Sequence, residues 1–207
     1  MSSEIEVEVK FAAENATDLL RLPQDLKTLG WSVGDSSDVV MNDYYLDTPD
    51  LDLLQSGWAF RLRRTNEQSK VTLKALVPTE DGVARREEYE EDIDWDGSGA
   101  VTFSEDIVGG RINDLVGEKT LWLLFQVEQS RTQYISTLNE CTAELSLDAV
   151  RWIYNKRSMN GYTAELELVD GGEKDILETQ AALLKDFDWK QSNQSKFEVG
   201  LDLYNHF

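Results

Sequence analysis

The sequence predicts a β-rich α+β protein built on a predominantly antiparallel sheet, and three observations carry that prediction. Short segments alternate strictly between apolar and charged residues, the period-2 mark of a strand with unlike faces. Such segments recur along most of the 207-residue chain. Few amphipathic helical stretches separate them, so the βαβ rhythm of a parallel sheet is missing. No Pro- or Ser-rich linker, internal repeat or low-complexity tract divides the chain, and a single domain over 1–207 is expected.

Taken in order, "EIEVEVKF" (4–11) sets Ile5, Val7 and Val9 on one face and Glu4, Glu6, Glu8 and Lys10 on the other. "LPQDLKTLG" (22–30) spaces Leu22, Leu26 and Leu29 as on a helix, with Pro23 suited to the first turn and Gly30 to the C-cap. "DTPD" (47–50) reads as a turn. "WAFRLRR" (58–64) opposes Arg61 and Arg63 to Phe60 and Leu62, and "KVTLKAL" (70–76) opposes Thr72 and Lys74 to Val71 and Leu73. "RREEYEEDI" (85–93) aligns Arg86, Glu88 and Glu90. "SEDIVGGRINDLV" (104–116) reads as a short helix interrupted by Gly109 and Gly110. "WLLFQVEQSRTQYI" (122–135) is a further strand with Arg131 on it. "TAELSLDAV" (142–150) sets Glu144, Ser146 and Asp148 against Leu145 and Leu147, and "TAELELVD" (163–170) repeats the opening pattern with Glu165 and Glu167. "EKDILETQAALLKDF" (173–187) is an amphipathic helix that packs through Ile176, Leu177, Leu183 and Leu184, and "SKFEVGLDLY" (195–204) is a final short helix.

Composition narrows the chemistry. A formal charge of −20 excludes general nucleic-acid binding and attraction to an anionic membrane. His206 is the only histidine, so His-based zinc sites and Ser-His-Asp triads are excluded. A metal would need oxygen ligands, which favours Mg²⁺ or Mn²⁺. The lone Cys141 cannot form an internal disulfide, fits a reducing compartment, and reads as a small buried apolar residue. Without a long apolar run or a signal-peptide pattern, a soluble cytoplasmic protein is expected.

Two arrangements suit the charged faces. In one they meet water on an ordinary antiparallel sheet. In the other the sheet closes with the charges inside. The signs are segregated: Glu144/Asp148 and Glu165/Glu167 are acid-only strands, while Arg61/Arg63 is base-only. A solvated sheet more often mixes signs, because like charges side by side repel. A closed interior of this kind needs charged contents. Carboxylates hold divalent cations and Lys and Arg grip phosphate oxygens, so a metal-bound polyphosphate is the matching ligand.

The Glu-x-Glu-x-Lys pattern of Glu6, Glu8 and Lys10, followed by Phe11, resembles the signature of the CYTH superfamily, the triphosphate tunnel metalloenzymes. "YYLDTPD", "GWAFRLRR", "VTLK", "RREEYE", "ELSLD", "ELEL" and "QSKFEVG" follow in family order. The "YYLDTPD…GWAFRLRR" block looks more like bacterial inorganic triphosphatases than class IV adenylate cyclases. The resemblance implies a closed eight-stranded antiparallel β-barrel, a tunnel with a charged interior and several helices packed outside. It also implies Mg²⁺ or Mn²⁺ held by Glu6, Glu8, Asp148, Glu165 and Glu167. Glu144 is either a further ligand or a charge at the tunnel mouth that balances an Arg. Lys10, Arg61, Arg63, Lys74, Arg86, Arg131 and Lys196 would bind substrate, Lys196 from a closing helix. Lys10, Tyr45 and Lys196 are the implied catalytic residues, with Tyr45 hydrogen-bonded to Lys10 in a dyad that accepts a proton from water. Glu88 and Glu90 read as partners that orient the bases. Gln129 departs from the pattern, because some relatives have Lys there.

The implied activity is metal-dependent hydrolysis of inorganic tripolyphosphate to pyrophosphate and phosphate. A nucleotide-processing enzyme is the alternative: a hydrolase of nucleoside or thiamine triphosphates, or a cyclase making cyclic AMP. In a cyclase, Trp58, Phe60 and Trp152 would stack on adenine; otherwise they pack outside the barrel. A non-catalytic polyphosphate or nucleotide sensor is the third reading. The expected partner is a triphosphate-containing small molecule such as tripolyphosphate, ATP or thiamine triphosphate, with no nucleic acid and no membrane. A monomer or homodimer is expected.

Overall fold

The computed structural model describes residues 4–95 and 108–206. The strands are β1 (Glu4–Ala13), β2 (Ser32–Asp47), β3 (Trp58–Arg64), β4 (Ser69–Ala75), β5 (Val83–Ile93), β6 (Trp122–Leu138), β7 (Cys141–Tyr154), β8 (Arg157–Asp170) and β9 (Lys190–Gln191). The helices are α1 (Ala16–Leu19), α2 (Leu22–Thr28), α3 (Asp52–Gln55), α4 (Val108–Val116), α5 (Lys174–Asp186) and α6 (Lys196–Asn205). Antiparallel pairing runs β5-β4-β3-β2-β6-β7-β8-β1, and β1 returns to β5 to close an eight-stranded barrel. The short β9 adds to β1 at Phe11 and Ala12.

The barrel turns the usual arrangement of a half-buried sheet around. Val9 and Phe11 of β1, Leu145 of β7 and Leu166 of β8 face outward and are fully covered, together with Leu22, Leu26, Ile176 and Leu183 of α2 and α5. Cys141 is buried in this same cluster. On the opposite side Phe60, Leu62, Val71, Leu73 and Tyr89 pack outward against Leu53 of α3 and Val108, Ile112 and Val116 of α4. At roughly 1.5–3 kcal/mol per large buried apolar side chain, the two outer layers favour this orientation of the strands. No helix among the described residues is long and apolar enough to cross a membrane.

Two elements differ from the sequence expectation. The long strand β2 is absent from the alternation pattern, because Gly34, Asp35, Ser36, Ser37 and Asp38 are exposed and polar on both faces. It forms because β6 pairs with it from Ser32 to Asp47, whereas β3 pairs with it only from Asn42 to Leu46. Helix α4 runs through Gly109 and Gly110 without interruption, and packing of Val108, Ile112 and Val116 outweighs the roughly 1 kcal/mol helix cost of each Gly. The part of that predicted segment before Val108, residues 104–107, lies outside the described residues. The "DTPD" turn is built on Asp47, whose carboxylate accepts from the backbone N–H of Thr48, Leu53 and Leu54 at 2.7, 2.9 and 2.9 Å.

Helix α6 closes one end of the barrel. Ser195 and Glu198 form a reciprocal capping box at its start. Trp152 Nε1 donates to the Lys196 carbonyl at 2.8 Å. Phe197 enters an apolar cap made with Tyr45, Phe125, Val127, Val150 and Trp152. Gly200 lies against the Phe125 ring so tightly that a methyl group there would sit 2.1 Å from Cε2. Gly200→Ala should therefore destabilise the fold by about 1–3 kcal/mol despite the better helix propensity of Ala, because the buried ring has nowhere to go. Thermal denaturation should show a lower Tm than wild type; an unchanged or higher Tm would show that the cap can yield.

Candidate active site

The barrel interior is a cavity of about 1410 Å³. Glu6, Glu8 and Lys10 reach it from β1, Arg61 and Arg63 from β3, Lys70 and Lys74 from β4, and Arg86, Glu88 and Glu90 from β5. Arg131 enters from β6, Glu144 from β7, Glu165 and Glu167 from β8, and Lys196 from the first residue of α6. Asp148 is fully buried just beneath them, tied to Arg131 and Lys196. Strand register sets the neighbours: Glu6 lies across from Arg86, Glu8 from Glu167, Lys10 from Glu165, Lys74 from Glu88 and Arg131 from Asp148.

Most of these charges satisfy one another. The Arg131 guanidinium donates both arms of its fork to Asp148 at 2.8 Å each and lies 3.0 Å from Glu165. Lys196 lies between the same acids, 2.9 Å from Asp148 and 2.7 Å from Glu165. Burial by itself would raise Glu165, but Lys196, then Lys10 and Arg131, hold it well below the usual carboxylate range. Burial would also raise Asp148, and Lys196 with Arg131 lowers it instead. Lys10 is 2.9 Å from Glu8 and 3.7 Å from Glu165. Lys74 is 2.5 Å from Glu6 and 3.1 Å from Glu88. Arg63 grips Asp43 through two bonds of 2.7 and 2.8 Å, and Arg61 donates to Thr72 Oγ1 at 3.1 Å.

Two charges have no such partner among the described residues. Arg86 is only 4 % exposed, its Nε is without a hydrogen bond, and no carboxylate lies within ion-pair distance of it. Glu167 has no cation at ion-pair distance. Burial, and then the charges of Glu6 and Glu8, push its carboxyl up to about 8. Burial and the charge of Glu8 likewise push Glu6 up to about 7, against the opposing pull of Lys74. Glu6, Glu8 and Glu167 thus crowd like charges in one wall of the barrel.

The predicted residues, Asp148 apart, line this cavity. Glu88 pairs with Lys74 and Arg61, and Glu90 with Lys70. Glu144 lies 3.5 Å from Arg131 and accepts from Ser146 Oγ at 2.8 Å. Tyr45 stands in the apolar cap, its ring 4.8 Å from Phe125 and 5.4 Å from Phe197, and no hydrogen bond joins it to Lys10 among the described residues. Trp58, Phe60 and Trp152 do not line the cavity. Trp58 and Phe60 pack under the outer helices, and Trp152 packs in the cap. Asp43 was missed, since it lies on the strand whose polar stretch hid its alternation, and with it the partner of Gln129. Gln129 donates to Asp43 at 2.6 Å.

The donor set suits a hard divalent cation. It is all oxygen, and it crowds Glu6, Glu8 and Glu167 in one buried wall. Glu6, Glu8 and Glu167 would hold the ion. Among the described residues no three carboxylates form a ready coordination group, because Lys74 and Lys10 draw Glu6 and Glu8 to themselves.

A sequence model of the CYTH domain matches residues 4–198. The chain therefore belongs to the CYTH domain family, whose members are triphosphate tunnel metalloenzymes. No curated protein matches it by sequence. Solved structures share the fold. A candidate adenylyl cyclase from Hippeastrum, reported with a dominant triphosphatase activity, has 20% identity and a TM-score of 0.67, with 95% of each chain covered. A candidate adenylate cyclase from Bacillus halodurans has 22% identity and a TM-score of 0.65, covering 95% of this chain and 96% of its own. A protein from Pyrococcus horikoshii OT3 has 18% identity and a TM-score of 0.60, covering 96% and 99%.

The two raised acids set a pH dependence. A carboxyl lifted from an ordinary value of 4.5 to about 7 or 8 favours the fold while protonated, and that contribution is lost as pH rises through 7 and 8. In EDTA the Tm should therefore fall between about pH 5 and pH 8.5, and Glu167→Gln should flatten the decline. Mg²⁺ should raise the wild-type Tm most at the alkaline end. A wild-type Tm that is flat or rising over this range in EDTA would contradict the carboxylate crowding.

Proposed function

We propose that the protein is a metal-dependent triphosphatase that hydrolyses inorganic tripolyphosphate to pyrophosphate and phosphate. The observation that carries this reading is the pair of unmatched charges on the strands flanking β1. Among the described residues, Arg86 is a buried cation with no anion at ion-pair distance, and Glu167 is a carboxylate with no cation there. A metal triphosphate supplies both missing partners.

The remaining ion pairs explain how such a ligand is accommodated. Lys10 and Lys74 neutralise Glu8 and Glu6 in the free protein. A triphosphate gives both lysines new anions, which leaves Glu6 and Glu8 available beside Glu167. Glu6, Glu8 and Glu167 would hold Mg²⁺ or Mn²⁺, which would supply charge neutralisation for the triphosphate. Arg61, Arg63, Arg86 and Arg131 grip the chain of phosphates from the other walls, with Arg131 anchored by Asp148 and Glu165. Lys196, fixed at the capped N-terminus of α6, holds the inner end of the ligand. Water adds to a terminal phosphorus as the phosphoanhydride P–O bond breaks; one of its protons stays on orthophosphate, the other passes to pyrophosphate or solvent, and the charge that collects on pyrophosphate falls on these cations. Such positioning and charge stabilisation are the main catalytic terms in phosphoryl transfer. Lys10 belongs to the grip in this reading, since it stands between the Glu8 and Glu165 carboxylates, and Tyr45 shapes the cap behind Lys196. The enzyme would act in the cytoplasm as a monomer or homodimer.

One observation favours a second reading. The cavity exceeds the roughly 300–1,000 Å³ of common small-molecule pockets. Besides its charges, its lining holds the uncharged Ser37, Val39, Met41, Asn66, Ser130 and Thr132, with Asp38 and Glu67 among them. Room of that character suits an organic triphosphate, either a nucleotide or thiamine triphosphate, with its triphosphate on the same charges.

The purified protein, given Mg²⁺ or Mn²⁺ with tripolyphosphate, ATP or thiamine triphosphate in turn, separates the readings. Phosphate release from tripolyphosphate alone is the expected result. Release from an organic triphosphate or formation of cyclic nucleotide supports the second reading, and binding without product supports a sensor. Arg86→Ala should raise KM for tripolyphosphate about 10–100-fold, the value of a lost charge-assisted contact, and lower Tm little or not at all. Calorimetry should show weak Mg²⁺ binding to the free protein that strengthens when pyrophosphate is present. Equal affinity in both conditions would refute the exchange of lysines between carboxylate and phosphate.

A further inference from the structure

Asp43, like Asp148 on the far side, is a fully buried carboxylate of the barrel that is neither in the acidic wall nor on the cavity surface. It has 0% exposure and is not among the residues lining the cavity. It projects from the C-terminal part of β2, which lies between β3 and β6. On the β3 side, Arg63 stands directly across from it and donates Nε to Oδ1 at 2.7 Å and Nη2 to Oδ2 at 2.8 Å. On the β6 side, Gln129 donates Nε2 to Oδ2 at 2.6 Å. Arg61 Nη1 lies 3.9 Å away. The positive field of these arginines, led by the Arg63 fork, outweighs burial and keeps the carboxyl ionised.

These contacts do two things to the arginines, both of which line the cavity. The fork takes up Nε and one edge of the Arg63 guanidinium, so its plane is set and only Nη1 and the outer hydrogen of Nη2 remain for a ligand. The single buried negative charge also offsets part of the charge of the Arg61–Arg63 pair. A ligand therefore meets an arm that is aimed but tempered. Too strong a grip on the polyanion would hold substrate and product alike, which raises affinity without raising turnover.

Resting on the triphosphatase reading above, we propose that Asp43 is a positioning residue that aims and tempers the Arg61–Arg63 arm for phosphoryl transfer, acting from beneath the cavity without touching the substrate. Asp43→Asn keeps the shape and one acceptor oxygen and removes the charge. It should lower kcat for tripolyphosphate about tenfold or more, the effect of misaligning a reactive group. Its affinity for tripolyphosphate without metal, measured by calorimetry, should stay the same or tighten about threefold or more, because the arm has lost its internal counter-charge. Arg63→Ala should instead weaken that binding. Gln129→Ala, which loosens Asp43 without touching an arginine, should reproduce the kcat loss in milder form with binding intact; it serves as the second variant if Asp43→Asn does not fold.

An Asp43→Asn protein that binds as weakly as Arg63→Ala would make Asp43 a scaffold for the arginine and overturn the proposal. Wild-type turnover in Asp43→Asn would overturn it too. Wild-type protein that neither binds nor hydrolyses tripolyphosphate brings down the triphosphatase reading itself. The inference about Asp43 fails alone when wild type is active and only the variants disobey.

Discussion

Everything in this molecule depends on neutralising charge inside a closed sheet. A buried carboxylate or ammonium left alone would cost several kcal/mol or abandon its charge, so each inward ion must find an opposite one. The register supplies these partners across strands that are distant in sequence. Lys74 of β4 meets Glu6 of β1, and Arg131 of β6 meets Asp148 of β7 and Glu165 of β8. The apolar faces are forced outward by the same choice, and α2, α4 and α5 are needed to cover them. The fold is thus a consequence of where its charges go.

The pairing is strong but incomplete, and the incompleteness gives the interior a use. On the side of Arg131, Asp148, Glu165 and Lys196 the charges are closely matched, and the acids there are held below their usual range. Beside β1 the matching fails: Glu6 and Glu167 are pushed up, and Arg86 has no anion at ion-pair distance among the described residues. A buried site with both an unmet cation and crowded carboxylates is poised for a ligand that carries both signs. Such a site is also where the free protein gives up stability for function. The apolar cap under α6 closes this site at one end and carries Lys196 into it, so the "QSKFEVG" segment supplies a capping serine, a tunnel lysine, a cap aromatic and a glycine that fits against Phe125.

Much of this was legible beforehand because period-2 alternation is a local property. "EIEVEVKF", "WAFRLRR", "TAELSLDAV" and "TAELELVD" announce both their strands and the residues that share a face. The helices α2 and α5 announce themselves through leucine spacing and a Pro at the start of α2. The parts that were missed are those where local pattern and final structure diverge. Residues 34–38 of β2 are polar on both faces, so only the ladder to β6 makes that stretch a strand. Asp43 was hidden with it. Asp47 looked like a turn residue and proves to hold the start of α3 through its backbone N–H groups. Tyr45 shares a face with Asp43 and lines the cavity, but its ring packs in the cap against Phe125 and Phe197.

By itself the sequence determined the strands' two faces, the segregation of acids from bases and the resemblance that gathers them into one site. It could not decide which face turns inward, because alternation is symmetric: the same strand serves a solvated sheet or a closed barrel. Tertiary structure decided this through the pairing of β1 with β5, which encloses the charged face, and through helices that bury the other. It also decided which ions neutralise each other and which remain unmatched. Those outcomes depend on distances of a few ångströms between strands far apart in the chain, and Coulomb energy is set by distance and local dielectric rather than by sequence order.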